Sequence, residues 1–284
     1  MTGTAVVLAG GGERVLAWEV GVLAGLADRG FDVRDARVVV GTSAGAVVAA
    51  RCAASGPRSV ADRIAARSLD ATVPPPSGAV ELFAQLAGLW DGAGGGTAAR
   101  RVVGGLAVER SPGGEAEFVA RVGEGLPAEW PAGVRVVAVD VAAGEPVVLG
   151  AGSGVPLARA VAASRAIPVW CPPVLVGGRP HLDGALGSAT NAGVVLGDVK
   201  DGEVDHVLVV TAAGFGTAAH PLWAEALAAE VEELTAAGAA VTVLEAGAGD
   251  RAAMGPDPMS AAGAVLAVTA GRDAGRRVAP QLRR

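Results

Sequence analysis

Ser43 stands in Gly41-Thr42-Ser43-Ala44-Gly45, a G-x-S-x-G pattern between Val38-Val39-Val40 and the Ala/Val-rich stretch Ala46 to Ala50. A β-branched run that stops at glycine and gives way to helix formers reads as a strand bending sharply into a helix, with the serine at the bend. Gly41 and Gly45 keep Cβ atoms away from a turn that has no room for them. A serine in that position is a candidate nucleophile, because the helix start directs backbone N–H groups and a positive dipole end at an incoming anion. The competing reading is an ordinary glycine-rich turn, since glycine makes up 43 of the 284 residues.

A serine nucleophile needs donors for an oxyanion and a base for its proton. Donors are offered by Gly10-Gly11-Gly12, which follow the apolar run Thr4 to Ala9. In a right-handed βαβ unit that first strand lies beside the strand feeding Ser43, so both loops emerge at the same carboxyl edge of the sheet. A dinucleotide fingerprint fits the glycines less well. Its third glycine is replaced by Val15, and no acidic residue ends the second strand.

Two bases are available. Asp183, followed by Gly184 and Ala185, sits after a short strand where small residues permit close approach, and a partly buried aspartate can take the proton itself. Alone, it also reads as a turn aspartate satisfying its own backbone. The other arrangement is an α/β-hydrolase triad of Ser43, Asp183 and His220. Only one strand precedes the Ser43 strand, and the glycine loop comes ahead of the first helix; both features oppose the triad. His181, His206 and His220 are scattered, and Cys52 and Cys171 are too few for a metal cluster and read as free, buried thiols.

The elements that must hold these residues alternate along the chain. Helices are expected at 15–26, 46–50 onward, 79–90, 97–110, 115–123, 156–164 and 221–237. Strands are expected at 4–9, 38–40, 134–141, 146–149, 174–176, 181–185, 207–210 and 240–244. Ala142-Ala143-Gly144-Glu145 reads as a hairpin turn. Residues 56–131, with Pro74-Pro75-Pro76, form a possible helical cap; Val80, Leu82, Phe83, Leu86, Leu89 and Trp90 give its first helix an apolar face that also suits an ordinary core helix. The segment from Ser260 is expected to be a helix on the surface.

Apolar residues make up 51% of the chain, with no tyrosine. That balance predicts one α/β domain over 1–284, with helices packed on a buried, mostly parallel sheet. A net charge of −6 opposes nucleic acid as a main partner. Apart from Arg276-Arg277 and Arg283-Arg284, no basic cluster favours anionic lipid. Without a signal peptide pattern or an uncharged apolar run of about 18 residues, the expected location is cytoplasmic.

Taken in order, Gly10-Gly11-Gly12-Glu13-Arg14, Gly41-Thr42-Ser43-Ala44-Gly45, Ala163-Ser164-Arg165-Ala166-Ile167-Pro168 and Asp183-Gly184-Ala185 resemble the blocks of bacterial patatin-like phospholipases. The resemblance covers residues 5 to about 212. It implies a three-layer αβα fold and a Ser43–Asp183 dyad that cleaves acyl esters of lipids through an acyl-enzyme. The oxyanion would be held at Gly10, Gly11, Gly12 and Arg14, with Gly41, Gly45, Gly184 and Ala185 as motif residues. It implies no metal or cofactor, a lipid or acyl-ester substrate, and transient membrane contact. Val15 departs from the family glycine and is expected to shift the helix start. A catalytically weak relative that binds lipid or protein is the alternative.

Overall fold

Ala5, Val6, Val7 and Leu8 of the first strand are all fully buried. A strand apolar at every position must be covered on both faces, which is the condition of a parallel sheet inside an α/β layer structure. The computed structural model describes residues 3–66, 79–212, 226–257 and 259–283; His220 and Pro74-Pro75-Pro76 lie outside them.

The chain begins with β1 (Gly3–Leu8), α1 (Gly12–Asp28), β2 (Val38–Thr42) and α2 (Ala44–Ser55). Four helices follow: α3 (Pro57–Ala66), α4 (Ala79–Gly92), α5 (Gly96–Glu109) and α6 (Glu115–Gly123). The antiparallel pair β3 (Val134–Asp140) and β4 (Glu145–Gly150) leads to α7 (Leu157–Ser164), β5 (Val174–Val176) and β6 (Arg179–Asp183). After α8 (Leu196–Lys200) and β7 (Val204–Thr211) come α9 (Leu227–Ala236), β8 (Ala240–Glu245), α10 (Ala248–Met254) and α11 (Ala264–Val278).

These strands form one eight-stranded sheet in the order β5-β6-β3-β2-β1-β7-β8, with β4 also paired to β3. The pairings β3-β2-β1-β7-β8 are parallel, and β4, β6 and β5 join antiparallel. Val6, Leu8 and Val39 face a core shared with α1, α2, α7 and α11. Their neighbours Ala5, Val7, Val38 and Val40 face a second core completed by Val195, Val199 and Leu234 on the other side. The result is the three-layer αβα arrangement expected from the sequence.

The register on β3 is unusual. With β4 on one edge of β3, its other edge is shared end to end by two strands. β2 occupies Val134 to Val137, and β6 occupies Ala138 to Asp140. β2 finishes at Thr42 opposite Val137, and β6, running the other way, finishes at Asp183 opposite Ala138. Two strand ends therefore meet head on.

The C-terminal helix lies at the surface with Val265 and Leu266 exposed on its outer face. On the inner face of α11, Ala267, Gly271, Ala274 and Gly275 are buried against α1. Gly21 and Gly25 on α1 face Gly271 and Gly275 on α11, and a Cβ at any of the four would overlap backbone of the opposing helix. The paired G-x-x-x-G spacing lets two backbones touch, as small residues do wherever helices pack closely. Asp28, at the end of α1, accepts hydrogen bonds from Arg272 and Arg276 and also meets Arg58. Those guanidinium groups, Arg272 foremost, hold its carboxyl well below the usual carboxylate range.

Gly25→Ala would push a methyl into the Arg272 carbonyl. We expect it to cost roughly 1–3 kcal/mol, read as a lower urea midpoint at unchanged m. An unchanged midpoint would contradict this helix contact.

Candidate active site

Ser43 is the hinge between β2 and α2, with φ 53° and ψ −112°. That conformation is strained for a non-glycine residue, about 1–3 kcal/mol, and persists only where the surroundings enforce it. They do so through glycines. A Cβ at Gly45 would overlap the Leu8 carbonyl, and one at Gly41 would lie 2.5 Å from the Ala46 Cα. The Gly45 N–H donates to the Ala9 carbonyl at 3.1 Å, tying the bend to the end of β1.

The meeting of strand ends on β3 brings Asp183 to the serine. Ser43 Oγ donates to Asp183 Oδ2 at 2.7 Å, with both residues buried. The other carboxylate oxygen accepts the Ala185 N–H at 2.9 Å. Gly184 has to be glycine, since a Cβ there would overlap the Val137 carbonyl. Burial, the largest influence, raises the Asp183 pKa to about 6; the Ala185 N–H, the Ser43 hydroxyl and the charge of Arg165 oppose it.

Ser164 ends α7 and is fully buried. Its hydroxyl accepts the Ser43 N–H at 2.8 Å and donates to the Val137 carbonyl at 2.5 Å. Its own carbonyl accepts the Gly184 N–H at 3.3 Å, and that of Ala166 accepts the Asp183 N–H at 2.9 Å. One short segment thus holds both halves of the pair. In the sequence Ser164 belongs to a recognisable block, but nothing there states its task.

The glycine loop reaches the same place. A Cβ on Gly10 would come within 3.2 Å of the Ser43 Cβ and 3.1 Å of the Ala185 Cβ, a tight fit that glycine relieves. The Gly10 N–H, however, already donates to the Ala189 carbonyl at 2.9 Å. Gly11 and Gly12 open α1, where the first N–H groups have no partner within the helix. Arg14 turns elsewhere: its guanidinium donates to the carbonyls of Met254 and Ser260 at 2.5 Å, anchoring the segment before α11. The helix starts at Gly12, and the Val15 side chain packs on Gly11.

Two supports were not anticipated from sequence. Asn191, with φ 51°, bridges the Thr42 hydroxyl and the Gly184 carbonyl through its side-chain amide. Glu230 on α9 accepts from the hydroxyls of Ser188 and Thr190 and from the Ala192 N–H, fixing the loop behind Asp183. Asn in a left-handed position is a local signal; Glu230, far along the chain, had none. Leu86 and Trp90 of α4 are buried, and Trp90 and Arg100 crowd Gly187 on the loop after Asp183. Val80, Leu82 and Phe83 have side chains outside the described set. Cys52 is buried and Cys171 only partly, a correction for the latter; both are free thiols whose pKa burial raises.

An open α/β layer with a buried serine–carboxylate contact at the carboxyl edge of its strands defines the class of protein. The chain belongs to the patatin-like phospholipase family, whose sequence model matches residues 6–196. That membership supports a lipid hydrolase activity in general. A search of curated proteins gave no match. Among solved structures, the chain is similar to the type III effector protein ExoU, at 14% identity and a TM-score of 0.43, covering 99% of this chain and 53% of that one. It is similar also to VipD from Legionella pneumophila, at 13% identity and a TM-score of 0.43, covering 99% and 67%. The chain spans about half the length of the ExoU chain.

Ser164→Ala removes one acceptor and one donor from a buried site. We expect a loss of about 1–3 kcal/mol by denaturant titration; a variant as stable as the wild type would show that Ser164 does not brace the bend.

Proposed function

We propose that the protein is a serine lipid acyl hydrolase, cleaving carboxylic esters of phospholipids or simpler acyl esters with Ser43 as nucleophile and Asp183 as base. The observation that carries this reading is the direct 2.7 Å bond from Ser43 Oγ to Asp183 Oδ2. A triad through His220 would need an imidazole between the two groups, and their contact leaves no place for one.

In this reading Asp183 takes the Ser43 proton as Oγ attacks the acyl carbon. With a pKa near 6, the carboxylate is ionised at neutral pH yet basic enough to accept a proton. The carbonyl oxygen becomes an oxyanion held by the Gly11 and Gly12 N–H groups, with the α1 dipole adding to the field. Gly10 serves by allowing the approach, and Arg14 by fixing α10 and α11 against α1. Protonated Asp183 then returns its proton to the departing alcohol. Water, activated by the same carboxylate, releases the acyl group from Ser43. The scheme calls for no metal or cofactor.

The substrate class follows from the family. A cavity of about 350 Å³ beside the first turns of α1, lined by Leu16, Val60, Ile64 and Ala264 with Glu13 and Arg63, is not lined by Ser43, Asp183 or the glycine loop and carries no part of this reading. Among the described residues no helix is long and apolar enough to cross a membrane. We infer access to lipid by transient surface contact from the cytoplasm.

Nitrophenyl esters of increasing acyl length test the assignment. Ser43→Ala and Asp183→Asn should each lower kcat/KM by about 10⁴-fold or more with the fold intact; retained hydrolysis in either would overturn it. The wild-type kcat/KM should fall as pH drops through about 6, because Asp183 gains its proton there. Stability runs the other way. A carboxyl whose folded pKa is raised from 3.8 to about 6 stabilises most below 3.8 and loses that contribution as pH rises through about 6. Asp183→Asn should therefore gain stability relative to wild type between pH 4 and pH 8.

A further inference from the structure

Glu19 is a fully buried acid on α1 with no part in the Ser43–Asp183 chemistry. Its Oε1 accepts the N–H of Ala9, ten residues earlier, at 2.8 Å. Ala9 is the first residue past β1. Its N–H is shared with the Val210 carbonyl at 3.2 Å, and its carbonyl takes the Gly45 N–H. Gly10 then backs onto Ser43, and Gly11 and Gly12 lead into α1, which brings Glu19 round to Ala9 two turns later. The glycine loop is thereby closed on itself, with Glu19 as the clasp.

The second carboxyl oxygen, Oε2, is buried without a hydrogen-bond partner among the described residues. Such an arrangement costs free energy that an apolar side chain of similar size would avoid. Something other than packing explains it. We propose that Glu19 is a positioning residue for the oxyanion site, its bond to the Ala9 N–H setting where the Gly11 and Gly12 donors stand relative to Ser43. The proposal rests on the hydrolase reading.

Burial pushes the Glu19 pKa well above the usual carboxylate range, against the pull of the Ala9 N–H. Burial therefore favours the protonated form over the carboxylate, with Oε1 accepting the Ala9 N–H. The titratable group that senses it is the Cys52 thiol on α2, itself kept protonated by burial. A neutral clasp fits the task, because a carboxylate beneath the loop would repel the oxyanion the loop is to hold. Glutamine reproduces a neutral acceptor of the same shape, and leucine does not.

The test compares wild type, Glu19→Gln, Glu19→Leu and Ser43→Ala on one nitrophenyl ester from pH 5 to 10, with circular dichroism as the control for folding. Glu19→Leu should lower kcat by about 10²-fold and leave KM nearly unchanged. Glu19→Gln should restore most of kcat. An unchanged kcat in a folded Glu19→Leu, or a glutamine variant as impaired as the leucine one, would overturn the assignment. If Glu19→Leu does not fold, an unchanged kcat in a folded Glu19→Met overturns it instead. Wild-type hydrolysis that survives in Ser43→Ala would reject the hydrolase reading itself, and Glu19's role with it; Ser43-dependent hydrolysis insensitive to Glu19 would reject only the latter.

Discussion

The site depends on how one edge of β3 is divided. Val137 is opposite the last residue of β2 and Ala138 is opposite the last residue of β6, so two strands of opposite direction end against each other. A shift of either strand by one residue would turn its side chains to the other face of the sheet and separate Ser43 from Asp183. Val137 enforces the fit from below. Its carbonyl accepts the Ser164 hydroxyl, and the space above it admits only glycine at position 184. The strain at Ser43 is sustained by the same crowding, through Gly41, Gly45 and the Leu8 carbonyl.

Burial is the second constraint, and it acts on three polar side chains in different ways. Asp183 is kept ionisable by N–H and hydroxyl donors and by Arg165, which is itself paired with Glu13 on the first turn of α1. Ser164 is kept in place by having a partner on both sides of its hydroxyl. Glu19 has one partner for two oxygens, and its burial favours the protonated form. Glu19, with one oxygen unpartnered, is less favourable for stability than an apolar residue of its size would be, as expected where geometry is held at a cost in stability. The apolar remainder, above all the direct contact of α1 with α11, supplies the rigidity that lets such groups persist.

Much of this is legible in the sequence. Strand runs such as Val38-Val39-Val40 and Val207 to Val210, glycine punctuation and helical periodicity locate most elements, because local pattern and tertiary burial agree there. Ser43, Asp183 and the glycine loop can be singled out because each sits in a short motif whose backbone demands small residues. What escapes are interactions joining distant positions. The place of Arg14 in a motif points to the oxyanion site, yet its bonds run to Met254 and Ser260. The tight inner contact of α11 escapes because its G-x-x-x-G faces a partner at the opposite end of the chain, a pairing that no local periodicity reveals. Glu230 is hidden for the same reason, with no motif of its own.

The most direct check of the Ser43–Asp183 pair is the rate and position of covalent labelling by a serine-directed phosphonate. The account predicts a single adduct, mapped by mass spectrometry to the peptide containing Ser43. Its rate should climb with an apparent pKa near 6 in the wild type and be lost in a folded Asp183→Asn variant. An adduct on another serine, or labelling of Ser43 at an undiminished rate without the Asp183 carboxylate, would contradict it.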